Sequence, residues 1–351
     1  MKGFKGFNSN LQCRNYQFEI GKEHEEQGAR RCEYGFHFCE NPLDVLRYYP
    51  PTDSRYCEVE GAGEIDAEDA GDSKVAASKL TVKAEIGLQG LIEAGVEYIK
   101  SKVDWENDKE TNTEDYSSAT NTGYQSVATN TGKYSAATNT GYRSAATNTG
   151  DYSVTTSTGN CSVATSTGDC SATTNTGDYS AATNTGDCSV TTNTGARSAA
   201  TNTGNRSVAT NTGDHSAATN TGNRSVATNT GNRSVATNTG NRSAATNTGD
   251  YSATTNTGDC SEATNTGDYS VATNTGYDSV ATVEGVDSIA CSLGVRGKAK
   301  GKKGCWLVLA QWEISCGYRK LLEVKSILVD GERIKEDTFY TLVDGQIVEV
   351  E

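Results

Sequence analysis

The sequence predicts a mainly β protein, in which a parallel β-solenoid of the two-sheet β-roll kind lies between a small α+β N-terminal domain and a C-terminal β cap. A nine-residue unit, Ser-Val-Ala-Thr-Asn-Thr-Gly-Asp-Tyr at Ser270, recurs without a gap from Ser117 to about Arg296. Such a short fixed period is typical of solenoids. Between Ser117 and Asp278 the chain has no Leu, Ile, Phe, Met or Trp, so the repeats cannot form a core of bulky apolar side chains.

The composition divides the chain into three regions, namely an N-terminal domain over 1–107, the solenoid over 108–304 and the cap over 305–351. A tract rich in Ser, Thr, Asn and Gly is also typical of disorder. A disordered linker, however, has no reason to keep Ser, Thr and Gly in strict phase. All three prolines precede the repeats, so none of them would interrupt a strand ladder.

The N-terminal region has the patterning of an α+β domain. Alternating apolar residues predict strands over 16–20, over 55–60 and within 73–86. A short helix is predicted after Asn41, because Asn is a good helix cap and Pro42 suits the first helical position. A second helix is predicted by apolar residues at helical spacing, at positions 88, 91, 92, 96, 99 and 103.

Distinctive motifs occur in the same region. They are CR-x-YQFEIGK at 13–22, CEYGFHFCENPLDV at 32–45, and Tyr48-Tyr49-Pro50. On these motifs the chain resembles an uncharacterised family of phages and Gram-positive gut bacteria, whose members often carry similar ATNTG repeats and a similar C-terminal end. The resemblance implies no established activity.

One group of residues in this domain has the chemistry of a metal site. Cys32, His37 and Cys39 lie close in sequence, with Cys13 and His24 not far away. A zinc site needs about four ligands in tetrahedral geometry, and Cys-x4-His-x-Cys is not a usual knuckle spacing. In a strand over 35–39, His37 and Cys39 share one face. We predict ordinary sheet positions, and neither a metal nor a cofactor.

A second group suggests an enzyme. Arg14, His37 and either Glu58 or Glu60 resemble the strand-borne Arg, His and Glu of an ADP-ribosyltransferase-like cleft. This gives an alternative function, in which the N-terminal domain is an enzyme and the solenoid is a spacer.

The variation among repeats assigns the two faces of each strand. The first position is Ser, the fourth Thr and the seventh Gly throughout most units, while the ninth is the most varied. The second position accepts Glu262, which indicates an outward side chain. Ser at one, Ala or Thr at three and Asn at five are then expected to point inward as hydrogen-bonding ladders. Gly at seven is expected to take the left-handed turn conformation. The constant positions then explain folding, and only the second, eighth and ninth positions are free for recognition.

Two units are expected to form one 18-residue coil with two strands and two turns, because nine residues cannot easily close a coil. At ~4.8 Å per rung, some ten coils would give a rod on the order of 45–50 Å long. Calcium-binding nonapeptide rolls use GGxGxD loops, whereas each turn here has a single Gly and no paired Asp. Calcium is therefore not expected.

Residues 18 apart become neighbours in such a coil, so the ninth positions form surface stripes. The predicted binding residues are Tyr134, Tyr152, Arg206, Arg224 and Arg242 on one face, and Arg197, Arg233, Tyr251 and Tyr269 on the other. For the charges in these stripes we favour a solvated face over a phosphate-binding one.

Thr at four and six would also point outward and form Thr-x-Thr arrays. Similar arrays occur in insect ice-binding proteins, so ice binding is a further alternative. Thr is also simply a good strand former, which we favour as the explanation.

From Ser279 onward the repeat acquires larger apolar residues, which are expected to close the end of the solenoid. Apolar patterning then predicts strands at 307–310, 321–329 and 339–350, with turns at Asp330-Gly331 and Asp344-Gly345. We expect a small β-meander that caps the rod.

The net charge of −14 argues against a general nucleic-acid-binding surface. No apolar run is long enough to span a membrane, and the N-terminus lacks the apolar stretch of a secretory signal, so a cytoplasmic protein is expected. Eleven Cys without a CxxC pair fit reduced thiols better than a disulfide framework. The predicted function is that of a non-enzymatic scaffold, which presents its solenoid surface to a protein partner or to another copy. A phage or prophage origin is expected for it.

Overall fold

The computed structural model describes residues 1–67, 72–102, 104–108, 111–315 and 318–350. Val103 of the predicted second helix, Cys316 among the eleven cysteines and Glu351 of the predicted cap lie outside the described residues. The fold is mainly β, with a parallel β-solenoid of about 11 turns, as the repeats predict. The ten cysteines that the structure describes are all free thiols.

The N-terminal domain is built on a small five-stranded sheet that closes on itself. Within it, Lys74–Glu85 pairs with Phe36–Cys39, which pairs with Lys2–Asn8, then Ser54–Asp66, and then Lys74–Glu85 again. The remaining strands of this domain are Glu23–Glu25, Gln12–Cys13 and Tyr16–Gln17. Apolar side chains such as Phe7, Phe18 and Leu80 fill the interior of the closed sheet.

The predicted strand over 16–20 is shorter than expected and ends at Gln17. The next residue, Phe18, turns its ring into the domain core, and its backbone N–H donates to the Leu11 carbonyl. The strand therefore stops where the chain turns inward, and Ile20 is left exposed.

Both predicted helices are present. Asn41 caps a 3-10 helix over Pro42–Asp44 that continues as an α-helix over Val45–Tyr48. The second helix covers Gly87–Lys102. In the parts of the chain that the structure describes, no helix has the length and apolar character needed to cross a membrane.

The solenoid consists of two sheets, whose strands pair in parallel except at the antiparallel hairpin that ends each sheet. The 14-stranded sheet contains Asp104–Asp108, Ser117–Asn121, Ala136–Asn139, Val154–Ser157, Ala172–Asn175, Val190–Asn193, Val208–Asn211, Val226–Asn229, Ala244–Asn247, Glu262–Asn265, Val280–Val283, Lys298–Gly301, Phe339–Val343 and Gln346–Val350. The 13-stranded sheet contains Thr111–Asn112, Val127–Asn130, Ala145–Asn148, Val163–Ser166, Ala181–Asn184, Ala199–Asn202, Ala217–Asn220, Val235–Asn238, Ala253–Asn256, Val271–Asn274, Ile289–Ser292, Trp306–Ser315 and Tyr318–Leu328. Equivalent residues 18 apart pair in register, such as Thr210 with Thr228, so the predicted two-unit coil is confirmed.

The inward and outward positions are also as predicted. Ser at one, Ala or Thr at three and Asn at five are buried, and a single unit illustrates how their polar groups are satisfied. Asn229 Oδ1 accepts from the Gly231 N–H over 3.0 Å, while its Nδ2 donates across the coil to the Ser216 carbonyl over 3.0 Å. Ser216 Oγ in turn accepts from the Ser198 N–H of the preceding coil over 2.9 Å. The narrow core is thus held by polar ladders instead of bulky apolar packing.

The predicted role of the seventh-position Gly is wrong. The left-handed conformation is taken by the ninth residue, for example Arg233 with φ 54° and Tyr251 with φ 55°. Gly is needed at seven because successive turns stack closely, and a Cβ on Gly231 would lie 2.1 Å from the Gly213 carbonyl oxygen. The constraint is therefore steric contact between coils and not backbone conformation.

The eighth position is also less free than predicted. Asp187 Oδ1 accepts from the Asn205 backbone N–H over 2.7 Å, and Asn205 Oδ1 accepts from the Asn223 N–H over 3.0 Å. The Asp and Asn side chains at this position therefore bond one coil to the next. Their frequency in the repeat follows from this structural role.

The N-terminal domain packs on the outer side of the 14-stranded sheet, which we call the covered face. Leu43 and Leu46 of the short helices and Leu91 of the second helix join a buried cluster there with the outward side chains of the solenoid. The second-position residues beneath them, Val190 and Val208 among them, are almost fully buried. The outer side of the 13-stranded sheet, which we call the free face, instead has second-position residues that are exposed or half-buried.

At the C-terminal end the chain forms two hairpins instead of the single meander expected. Trp306–Ser315 with Tyr318–Leu328 extends the 13-stranded sheet, and Phe339–Val343 with Gln346–Val350 extends the other. Two sheets end at this point, so each receives its own hairpin. Larger buried residues close the end of the rod as predicted. Leu307 continues the inner alanine column, and Leu309 continues the fifth-position column of Asn and Ser.

Candidate functional site

A cavity of about 730 Å³ lies in the N-terminal domain. Its walls come from the strand Lys2–Asn8, the turn and strand residues 13–18, the strand Phe36–Cys39, and the end of the short helix at 45–49. The two longest motifs noted in the sequence, at 13–22 and 32–45, both contribute to this lining. The cavity is therefore the structural feature that these motifs share.

Lys5 lies at the cavity wall and is almost fully buried, with 4% of its surface exposed. Its Nζ donates to the His37 carbonyl over 2.6 Å and lies 5.6 Å from the centroid of the Phe18 ring. Burial lowers the pKa of Lys5 below its ordinary value. An ammonium group carries three donors, so its bonds to the His37 carbonyl and to Cys13 leave donor capacity for a ligand.

His37 shares this wall and is held by the backbone opposite it. The Cys32 N–H donates to His37 Nε2 over 2.9 Å, which requires an unprotonated nitrogen at that position. Burial, and then the charges of Lys5, Lys74 and Arg14, lower the pKa of His37. The imidazole is therefore a neutral group surrounded by cations.

Tyr49 closes another side of the cavity, and a glycine makes room for it. Its hydroxyl donates to Cys13 Sγ over 2.8 Å. A Cβ on Gly6 would lie 2.3 Å from the Tyr49 ring, so only glycine permits the ring to lie against this strand. Burial raises the pKa of Tyr49, which keeps the phenol protonated as a donor.

Within the N-terminal domain, most of the non-glycine residues with left-handed backbone lie beside the cavity. Arg14 has φ 47°, Asn15 φ 67° and Cys32 φ 66°. Side chains other than Gly, Asn and Asp rarely adopt this conformation, and such residues often occur at functional sites. The unusual conformation of Arg14 and Cys32 places both residues in the lining.

The structure brings together only part of the predicted enzymatic group. Arg14 and His37 both line the cavity, but Glu58 forms an ion pair with Lys2 over 3.1 Å, and Glu60 pairs with a lysine of the neighbouring strand. Neither glutamate lines the cavity. The Arg, His and Glu arrangement of the alternative prediction is therefore not assembled, because the strand that carries the glutamates directs them to other surfaces.

Several of the residues considered for a metal site have ligand atoms that already take part in other hydrogen bonds. His37 Nε2 is taken by the Cys32 N–H, and Cys13 Sγ accepts from a phenol. His24 Nε2 accepts from the Glu19 N–H over 3.3 Å. Across the described residues, no group of three or more His, Cys, Asp or Glu side chains is arranged to hold a metal ion.

Comparison with known proteins gives one match. A family model described as a domain of unknown function (DUF7666) matches residues 1–94. No curated protein and no solved structure matches the chain significantly. The matched segment contains every residue named above as lining the cavity, whereas the solenoid lies outside it.

The predicted stripe on the covered face is partly used inside the molecule. Tyr152 is 8% exposed, and its hydroxyl accepts from Arg47 Nη2 over 3.0 Å. Arg47 Nε also donates to Cys170 Sγ over 3.2 Å, and Arg206 Nη1 donates to the Arg47 carbonyl over 2.6 Å. Tyr134 stacks on Tyr152, with ring centroids 4.9 Å apart. These side chains dock the N-terminal domain, so they are not the free recognition surface that the sequence suggested.

Farther along the same face the stripe emerges from beneath the domain. Arg224 is half-buried and Arg242 is exposed. Their positions, one and two coils beyond Arg206, show that the covering ends near the middle of the rod.

The predicted stripe on the free face is exposed along its length. Tyr251 stacks on Tyr269 with centroids 5.2 Å apart, and the Arg233 guanidinium lies 5.9 Å from the Tyr251 ring centroid. Arg197 makes the same kind of contact with Tyr179, at 5.4 Å. These residues lie in the turns that precede the strands, so neighbouring rungs order one another's side chains along a row of turns beside the 13-stranded sheet.

Two residues of these sites, Lys5 and Arg47, could not be identified from the sequence. Lys5 reads as a surface residue of an alternating strand, yet it is buried, and Arg47 reads as the polar side of a short helix, yet it contacts the solenoid. Only the long-range pairing of strands and domains decides both cases.

Proposed function

We propose that the protein is a non-enzymatic scaffold that presents the free face of its solenoid to a protein partner or to another copy. The observation that supports this most is the asymmetry of the rod. One face is used to hold the N-terminal domain, while the turns that lead into the strands of the other face display exposed Tyr and Arg in register. Tyr, Trp and Arg are the residues that contribute most to the affinity of protein interfaces.

The C-terminal end of the free face adds apolar area. Ile289, Trp306 and Leu328 occupy neighbouring strands there and are 37%, 45% and 40% exposed. Contiguous exposed apolar residues are uncommon on monomeric proteins and often mark an interaction site. In this proposal Arg197, Arg233, Tyr251 and Tyr269 form the binding surface together with this apolar end. Arg224 and Arg242 would supplement it from the other face.

The resemblance of the N-terminal motifs supports a phage or prophage origin, and with it a place in the cytoplasm of a bacterial host. The negative net charge favours a protein partner over nucleic acid. Neither point depends on the geometry of the solenoid.

Site-specific photo-crosslinking tests the proposal. A photoreactive phenylalanine at Tyr251 or at Trp306 is expected to give discrete adducts, with the purified protein or in extract of the producing cells. The same group at Glu60, which is exposed on the N-terminal domain, serves as the control and is expected to give none of them. A purified protein that sediments as a monomer, together with no adduct specific to the two solenoid positions, would contradict the proposal.

One further observation favours ice binding as a second candidate. Thr147 and Thr165 pair in register on the free face, and Thr149 and Thr167 beside them are exposed. The Thr-x-Thr arrays are thus regular and outward. Measurement of thermal hysteresis tests this directly, and growth of unshaped ice at millimolar protein would exclude it.

A further inference from the structure

We propose that the cavity of the N-terminal domain binds a small organic anion that carries an aromatic ring, the chemical class of the nucleoside monophosphates. The volume of the cavity, about 730 Å³, lies within the range of small-molecule sites. This function goes beyond the proposed role of the free face, because the two sites share no residue.

The charge of the lining favours an anion. Lys5, Arg14 and Lys74 all line the cavity. Two carboxylates, Glu26 and Glu33, line it as well, but Glu33 is already paired with Arg30 over 3.3 Å. Positive charge therefore exceeds negative charge in the lining.

Two of these cations are available to a ligand. Among the described residues, Arg14 and Lys74 form no ion pair, and Lys74 Nζ lies 4.6 Å from the centroid of the Tyr48 ring. The guanidinium of Arg14 is exposed, so it can approach a phosphate with two parallel N–H donors. Lys5 adds a buried cation whose remaining donors lack a carboxylate partner.

The remaining lining favours an aromatic ligand. Tyr16, Phe36, Tyr48 and Tyr49 contribute rings to the same cavity. Aromatic side chains bind planar rings by stacking, and every nucleobase offers a suitable face. A cavity with aromatic walls and unpaired cations matches a ligand that has one planar part and one anionic part.

The lowered pKa of His37 is consistent with this reading, because its environment already contains the charges of Lys5, Lys74 and Arg14. A site with this field stabilises an incoming negative charge.

Isothermal titration of the full chain with the four ribonucleoside 5′-monophosphates tests the proposal. At least one of them is expected to bind with a stoichiometry of one. Adenosine and inorganic phosphate, which each carry one half of the chemistry, are expected to bind at least about tenfold more weakly than that nucleotide. Phosphate binding as tightly as the nucleotide would overturn the aromatic part of the proposal.

Three variants assign the binding to the cavity. Arg14→Gly removes the guanidinium and suits the left-handed backbone, so the fold is expected to persist. Arg14→Gly and Lys74→Ala are each expected to weaken binding about tenfold or more. Lys83→Ala removes a cation of the same sheet that pairs with Glu60 outside the cavity, and is expected to leave the affinity unchanged.

Two results would overturn the proposal. One is the absence of saturable binding by any of the four nucleotides at millimolar concentration. The other is binding that Arg14→Gly and Lys74→Ala leave unchanged, or that Lys83→Ala weakens to the same extent, since either pattern would place the anion outside the cavity.

Discussion

Each repeat contains two residues whose roles are set by the distance between coils. The seventh-position Gly must lack a side chain because the next turn lies against it, whereas the ninth residue adopts φ near 55° and points outward. Left-handed backbone is unfavourable for Arg and Tyr, and glycine adopts it without steric cost. The seventh position therefore requires glycine, whereas the ninth position, two residues later, only tolerates it.

A pair of substitutions separates these roles. Gly231→Ala places a Cβ 2.1 Å from the Gly213 carbonyl oxygen and is expected to lower the free energy of unfolding by about 3 kcal/mol or more. Arg233→Gly, two residues away, relieves the left-handed conformation and is expected to remain within about 1 kcal/mol of the parent. Urea denaturation followed by circular dichroism measures both. Equal losses for the two variants would show that the stacking contact is not the constraint.

At the scale of elements, phase is the property that the sequence determined best. Ser, Ala and Asn at alternate positions were enough to predict the inward columns, because an 18-residue coil repeats the same contacts at every rung. The role of Gly was not predictable in the same way, since one sequence position is compatible with either a turn conformation or a close contact. The eighth-position Asp and Asn were misassigned for a similar reason, because a polar residue at a turn reads as solvated until its partner in the next coil is known.

In-phase and out-of-phase deletions test this dependence on register. Removal of residues 234–251 takes out one complete coil and joins Arg233 to Ser252, so every ladder is restored. A single cooperative transition is expected, with its midpoint within about 5 °C of the parent. Removal of residues 234–246 shortens the chain less, but it joins Arg233, at the ninth position of one unit, to Asn247, at the fifth position of another.

This second deletion is the control for chain length. It brings Thr and Asn columns out of register, so a loss of β structure by circular dichroism and a broad, early transition by calorimetry are expected. If both deletions unfolded alike, the stability of the rod would depend on its length and not on the phase of its columns.

At the scale of the whole molecule, the two faces of the rod differ because of what packs on one of them. The sequence predicted both stripes as equivalent surfaces, and nothing in a single repeat distinguishes them. Val154, Val190 and Val208 lie in alternate units and are buried, while Val163 and Val235 lie in the intervening units and are exposed. The difference arises only where the N-terminal domain meets the rod, which is a contact between residues more than 100 positions apart. The cationic cavity was missed for the same reason, since Lys5 and Lys74 meet only after the sheet closes.

Arg47 makes polar contacts with both sides of this docking. It donates to Asp44 Oδ1 over 3.0 Å within its own domain, and to Tyr152 and Cys170 on the solenoid. Arg47→Ala leaves the buried Asp44 carboxylate without this partner and removes both side-chain contacts to the rod, while the bond from Arg206 to the backbone carbonyl can persist. Hydrogen bonds to charged groups typically contribute about 2 kcal/mol, and a comparable loss is expected for the docked state.

The expected result is partial detachment of the N-terminal domain. Small-angle scattering should show a larger maximum dimension, and calorimetry should resolve two transitions. Arg55→Ala is the matched control, because Arg55 also binds a carboxylate through two nitrogens, at Glu85, but on the exposed side of the domain. That variant is expected to keep the parent's dimensions and a loss below about 1 kcal/mol. Unchanged scattering from Arg47→Ala would mean that the apolar cluster alone holds the domain. The docking on the covered face would then depend on the Val residues of alternate units and not on the arginine.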